Sequence, residues 1–185
     1  MNRLLNSVIL LLMTLCLPVY ATNLKVGDDA PNFNLQATDG KFYNLNDYFE
    51  KKAVVLAWYP MANTRGCTFE CKSLIDKGHL IREYNVSYFM ASVDPLEDNI
   101  EFAKQTGADF PMLSDSSKQV AKAYDVLNLF KVANRVTFYI SKQGKILHID
   151  ENISPKTAAE DIANQLKLLA IEQVKPLSKN LKSSL

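Results

Sequence analysis

The stretch Ala53-Val54-Val55-Leu56-Ala57-Trp58-Tyr59-Pro60-Met61-Ala62-Asn63-Thr64-Arg65-Gly66-Cys67-Thr68-Phe69-Glu70-Cys71 decides the fold. Its first seven residues are unbroken apolar or aromatic side chains, the composition of a strand buried on both faces of a sheet. Pro60 ends that strand, because it has no N–H to give to a ladder. Residues 61–66 read as a loop. From Cys67 to about Tyr84 the apolar period lengthens. Cys67, Cys71, Leu74, Gly78 and Ile81 fall on one stripe, spaced by fours and threes, which predicts a helix with one buried face. A cysteine thus stands where a buried strand, through a short loop, becomes a helix. At that end the helix macrodipole is positive and backbone N–H groups are unpaired. Both favour the thiolate, the nucleophilic form of cysteine. Thr64, three residues earlier, can turn its hydroxyl towards the same pocket.

Outward from this stretch, strands and helices alternate. Asn32-Phe33-Asn34-Leu35 and Lys41-Phe42-Tyr43-Asn44-Leu45 flank Asp39-Gly40, a hairpin signal. Residues 86–93 read as the next strand. Pro95 opens a helix to about Thr106, and Ser114-Asp115 is expected to cap a further helix carrying Val120, Ala121 and Tyr124. Arg135 opens the strand Val136-Thr137-Phe138-Tyr139-Ile140, and Gln143-Gly144 turns the chain into a strand over residues 145–149. Ser154-Pro155 starts the last helix, with Ile162, Leu166, Leu169 and Val174 expected inward. This order predicts an α/β, thioredoxin-like fold: a central mixed sheet flanked by helices, with an N-terminal β-hairpin.

With 185 residues, 48% of them hydrophobic and 22% charged, the chain can bury a real core. Its 21 basic and 20 acidic residues nearly cancel, so charge points to no nucleic acid. Residues 1–21 have the pattern of a secretory signal: Arg3, an apolar run from Leu4 to Val19, then Val19-Tyr20-Ala21 as a small-residue cleavage site. The run is short of the roughly 20 residues that span a bilayer, which leaves an uncleaved anchor as the alternative. Met13-Thr14-Leu15 before Cys16 does not resemble a lipobox. Export is therefore expected, to the periplasm or outside, without stable membrane association. Residues 22–174 form the single domain, and 175–185 read as a flexible tail. Loss of the leader leaves Cys67 and Cys71 as the only cysteines. A disulfide closing so small a loop constrains the unfolded chain little, so a redox role explains the pair better than a structural one.

Pro60-x-x-x-Thr64-x-x-Cys67 resembles the peroxiredoxin active-site motif. Ser92-Val93-Asp94, Phe102-Ala103, Phe110-Pro111-Met112-Leu113-Ser114-Asp115, Val120-Ala121-Lys122-Ala123-Tyr124 and Arg135-Val136-Thr137-Phe138-Tyr139-Ile140 are similar, in order and spacing, to the peroxiredoxin Q or bacterioferritin-comigratory-protein branch of the AhpC/TSA family. The resemblance runs from about Val26 to Leu169. It implies a thiol peroxidase without cofactor or metal, acting on hydrogen peroxide and organic hydroperoxides through a cysteine sulfenic acid. It implies a thioredoxin-like or other dithiol reductant, and a monomer or dimer. By position, Cys67 would be the peroxidatic cysteine, Thr64 the hydroxyl that bonds the peroxide, Arg135 the guanidinium that holds the thiolate and the developing charge, and Pro60 the shield against water.

Two positions depart from the branch. Arg65 stands where the family often has proline, and reads as a solvated cation or an added positive potential at the site. A helix resolving cysteine often lies five residues after the first, whereas Cys71 lies four after Cys67 and Lys72 occupies the fifth position. Cys71 is either the resolving cysteine or a buried core thiol on the Leu74/Ile81 stripe. Two other functions share the segment. A thiol–disulfide oxidoreductase ordinarily carries Cys-x-x-Cys, one residue shorter. A copper-binding assembly factor uses Cys-x-x-x-Cys, but the prolines that follow its cysteines are Thr68 and Lys72 here. His79 and His148 belong to no metal-spaced cluster. Glu70 is expected to answer the helix dipole, and Trp58 to be core. Asn85-Val86-Ser87 and Asn152-Ile153-Ser154 fit a glycosylation triplet that is common by chance.

Overall fold

A computed structural model describes residues 24–174. The signal reading of residues 1–21 and the tail reading of 175–185 lie outside them.

One seven-stranded mixed sheet organises the chain, in the order β2-β1-β5-β4-β3-β6-β7. The hairpin pairs β1 (Asn34–Ala37) with β2 (Phe42–Asn44), antiparallel around Asp39-Gly40. Gly40 has a φ of 82°, which an L side chain rarely adopts. The central strand β3 (Ala53–Trp58) is buried at every residue, as its unbroken apolar run requires. Helix α1 (Arg65–Arg82) carries it over to the parallel strand β4 (Val86–Ser92), and α2 (Leu96–Thr106) leads on to parallel β5 (Met112–Ser114). Past the short α3 (Gln119–Ala123), β6 (Val136–Ile140) returns antiparallel on the other side of β3 and pairs with β7 (Ile146–Asp150). Helix α4 (Ala158–Leu168) packs on α1.

Alternation along β3 divides the core in two. Val54, Leu56 and Trp58 face one cluster with Phe89, Phe138, Tyr124 and Leu45. Val55 and Tyr59 face the other, with Leu74 and Ile81 of α1, Phe102 of α2 and Ile162 and Leu166 of α4. Both cysteines lie in this second cluster.

Four details differ from the sequence reading. Helix α1 starts at Arg65, so Cys67 is its third residue rather than its first, with Thr64 as N-cap. Met112–Ser114 forms a strand that three residues are too few to announce. The N-cap position of α3 is Lys118, left-handed and without a side-chain cap bond, and Asp115 supplies the capping acceptor from further back, taking the Ala121 N–H at 2.7 Å. Val174 is 55% exposed, because α4 ends at Leu168 and Ala170 turns left-handed, sending residues 171–174 back to bridge Tyr84.

Leu56 is fully buried at the middle of β3, whereas Leu129 is 97% exposed in the loop before β6. Leu56→Ala is expected to cost about 2–5 kcal/mol. Leu129→Ala is expected to stay within about 0.5 kcal/mol of wild type. Urea unfolding midpoints check this, and equal losses would contradict the placement of the core.

Candidate active site

The register of the sheet builds the site. Trp58 pairs with Val136, so Tyr59 and Arg135 follow on opposite strands at the carboxyl end of β3. Here β3 has a parallel neighbour on one side and an antiparallel one on the other. Crevices outside the carboxyl ends of strands, where the sheet changes direction, are common binding sites in α/β folds. The loop after β3 is anchored there. The Tyr59 hydroxyl donates to Asn99 Oδ1 of α2 at 2.6 Å, and the Ala62 N–H donates to Asp94 Oδ2 at 2.8 Å. Burial pushes the Tyr59 phenol well above its ordinary range, so it remains a donor. Asn63 takes a φ of 59°, which asparagine tolerates better than most residues, and turns the chain into α1.

Cys67 is buried, and Arg135 Nη2 donates to its Sγ at 3.3 Å. Arg135 Nη1 pairs with the carboxylate of Glu70, one helical turn from Cys67 and fully buried. Glu70 Oε1 has no hydrogen-bond partner and depends on the guanidinium for compensation. A Cβ on Gly66 would lie 3.3 Å from Arg135 Nη2, so the missing side chain gives the guanidinium room to reach the sulfur.

This corrects the reading of Glu70. It sits in the second turn of α1, too far in to answer the dipole, and serves instead as the buried counter-ion of Arg135. The signal for that role was its spacing: a carboxylate three residues after Cys67 shares its face, and a charge on a buried face needs a partner. Arg135 is the basic residue that the register delivers.

The other predicted residues are placed as follows. Pro60 is half-buried at the start of the loop that follows β3. Thr64 is exposed, and its hydroxyl donates to the Met61 carbonyl at 3.0 Å rather than to Cys67. Arg65 is exposed, its guanidinium carbon 5.6 Å from the centre of the Phe69 ring. Cys71 is fully buried, and its thiol donates to Thr106 Oγ1 at 3.3 Å. Both thiols are free. Burial pushes the Cys71 thiol up to about 11, against a smaller lowering by the Thr106 bond. The site therefore pairs a sulfur beside a fixed cation with a sulfur held as a thiol. A fixed cation at Cys67 opposes binding of copper, whose own charge would face it.

Trp58 is core, as expected, His79 is exposed, and His148 packs against Tyr139 at 5.5 Å. Among the described residues no cluster of three or more His, Cys, Asp or Glu is placed to hold a metal ion. No helix among them is long and apolar enough to cross a membrane.

In the Cys67→Ser variant, alkylation of Cys71 is expected to be negligible near pH 8 and to rise only as the pH approaches about 11. Mass spectrometry of native protein quenched with iodoacetamide reads this directly. Alkylation with an ordinary thiol midpoint of about 8.5 would contradict it.

Residues 26–149 match the AhpC/TSA family. Peroxiredoxin Bcp of Escherichia coli K12 is 31% identical over 151 residues, which cover 78% of this chain and 96% of that protein. A putative peroxiredoxin Bcp of Helicobacter pylori J99 is 33% identical over 150 residues, 77% of this chain and 98% of its own length. The crystal structure of peroxidoxin BcpB from Mycobacterium tuberculosis superposes with a TM-score of 0.71 at 30% identity, covering 79% of this chain and 98% of that one. Fold, site and relatives agree: the chain belongs to the AhpC/TSA family, on its Bcp/peroxiredoxin Q branch, and is a thiol-dependent peroxidase.

Proposed function

We propose that Cys67 attacks the peroxide, and the observation that carries the reading is the 3.3 Å bond from Arg135 Nη2 to its sulfur. The thiolate forms a bond to one peroxide oxygen as the O–O bond breaks. Sulfur is oxidised by two electrons to the sulfenic acid, keeping the hydroxyl group, and the alkoxide or hydroxide leaves and takes a proton from solvent. Negative charge moves from sulfur to the leaving oxygen. The guanidinium, with several donors in a rigid fork, can follow it. Thr64 has its proton engaged with the Met61 carbonyl, which leaves its oxygen free to accept from the peroxide O–H. Pro60 walls the loop side of the pocket.

Cys71 then resolves the sulfenic acid. Side chains four residues apart on a helix stand about 5–6 Å apart at Cβ, against about 3.5–4.5 Å in a disulfide, so the first turns of α1 must open. Cys71 forms the S–S bond as the S–O bond breaks and hydroxide leaves. A thioredoxin-like dithiol restores both thiols by exchange. The leader pattern of residues 1–21 supports export after cleavage. The N-terminus of exported protein is then Thr22 by mass spectrometry, and an intact Met1 in the membrane fraction would contradict cleavage.

Cys67→Ser is expected to abolish turnover of hydrogen peroxide with a dithiol while leaving the unfolding midpoint near wild type. Arg135→Lys keeps the charge but loses the fork, and is expected to slow the peroxide step about 10–100-fold. Stopped-flow rates at one peroxide equivalent check both. Turnover near wild type in Cys67→Ser would overturn the assignment.

A further inference from the structure

The two sulfurs are bonded to partners that belong to opposite flanks of β3. Cys67 is bound to Arg135, which precedes β6. Cys71 is bound to Thr106, the last residue of α2, which lies between β4 and β5 in the chain. The sheet order places β6 on one flank of β3 and β4 on the other. Thr106 is fixed as an acceptor, because its own hydroxyl donates to the Phe102 carbonyl at 2.7 Å. Its oxygen is thereby left to accept from the Cys71 thiol, which lies in the cluster with Phe102, Phe110 and Leu74.

We propose that Thr106 is a positioning residue that holds Cys71 in its resting pocket, and so sets the partition of oxidised Cys67 between disulfide and over-oxidation. The proposal rests on the reading of Cys71 as the resolving cysteine. Two reactions compete for the Cys67 sulfenic acid. In one, the Cys71 thiolate forms an S–S bond, and the S–O bond breaks with loss of hydroxide. In the other, the sulfenate sulfur attacks a second peroxide, the O–O bond breaks, and sulfinic acid forms with release of alkoxide or hydroxide. The first requires Cys71 to leave its pocket, and the second does not. Burial keeps Cys71 protonated at rest, with its thiol pushed up to about 11, so departure is also the step that lets it ionise. The Thr106 bond exists only in the resting arrangement. Removing it raises the share of molecules in which Cys71 is free to react, without touching the group that meets the first peroxide.

Thr106→Val removes the hydroxyl at nearly constant shape, and Thr106→Ser keeps it. Three quantities are read in the full chain: the rate of the first peroxide step, the rate of Cys67–Cys71 disulfide formation by quench and alkylation, and the fraction of Cys67 sulfinic acid by mass spectrometry after turnover with hydrogen peroxide. Thr106→Val is expected to speed disulfide formation roughly two- to tenfold, the worth of one hydrogen bond, and to lower the sulfinic fraction in step. Thr106→Ser is expected to match wild type, and the first step to be unchanged in both. An unchanged or slower disulfide step in Thr106→Val overturns the proposal, as does a first step altered by the same factor, which would make Thr106 merely structural. Absence of any Cys67–Cys71 disulfide in the wild type is a different failure: it removes the resolving reading itself, and the proposal with it.

Discussion

Arg135 is gripped from two sides by one helix. Its Nη1 pairs with the Glu70 carboxylate and its Nη2 donates to Cys67 Sγ at 3.3 Å. Three features of the sequence favour that contact. Glu70 must stand one turn after Cys67, so that both face the same way. Residue 66 is glycine, and a Cβ there would stand 3.3 Å from Nη2, so its absence leaves the guanidinium room. The Trp58–Val136 register must also hold, since a slip by one residue would turn Arg135 to the opposite face of the sheet. The buried carboxylate then fixes the cation, and the cation fixes where charge on sulfur is best accommodated. Charges removed from water in this way interact more strongly than exposed ones, and each becomes costly to leave alone.

The same helix face presents two thiols of nearly equal burial to different partners. Cys67 meets a guanidinium and Cys71 meets a hydroxyl. Desolvation, only partly offset by the Thr106 bond and the Lys72 charge, leaves Cys71 protonated over the whole neutral range. The two sulfurs therefore differ in what surrounds them, one beside a guanidinium and one beside a hydroxyl. Their spacing of four residues allows a bond between them only at the expense of helical hydrogen bonds. In the proposed reading, where Cys71 resolves, the second step is tied in this way to the local stability of α1, and to whatever holds Cys71 in place.

Much of this was legible in the sequence, and the exceptions have physical reasons. The apolar run of β3, the stripe of α1 and the Asp39-Gly40 turn each carry strong local signals, and each forms as read. Motif and resemblance put Cys67 and Arg135 forward together, and the structure brings them to 3.3 Å. Glu70 could not be read in this way, since its meaning depends on a partner 65 positions away that only the sheet register brings near. β5 is too short to show a period, and it forms because β1 and β4 offer it two open edges. Asp115 does bond an N-terminal N–H of α3 as expected, but from three residues before the N-cap position, because the turn at 116–118 intervenes. Thr106 carries no sequence signal at all: a threonine at the end of a helix is ordinary until Cys71 is placed against it.

If Arg135 acts on Cys67 only while Glu70 holds it, the two side chains form one unit. The direct measurement is a double-mutant cycle with Glu70→Gln, Arg135→Met and their combination, reading the second-order rate of the first peroxide step by stopped flow. The predicted result is strong coupling: each single variant is slowed, and the double variant is about as slow as Arg135→Met alone. Independent factors that multiply in the double variant, or a wild-type rate in Glu70→Gln, would contradict the dependence of the cysteine site on this buried pair.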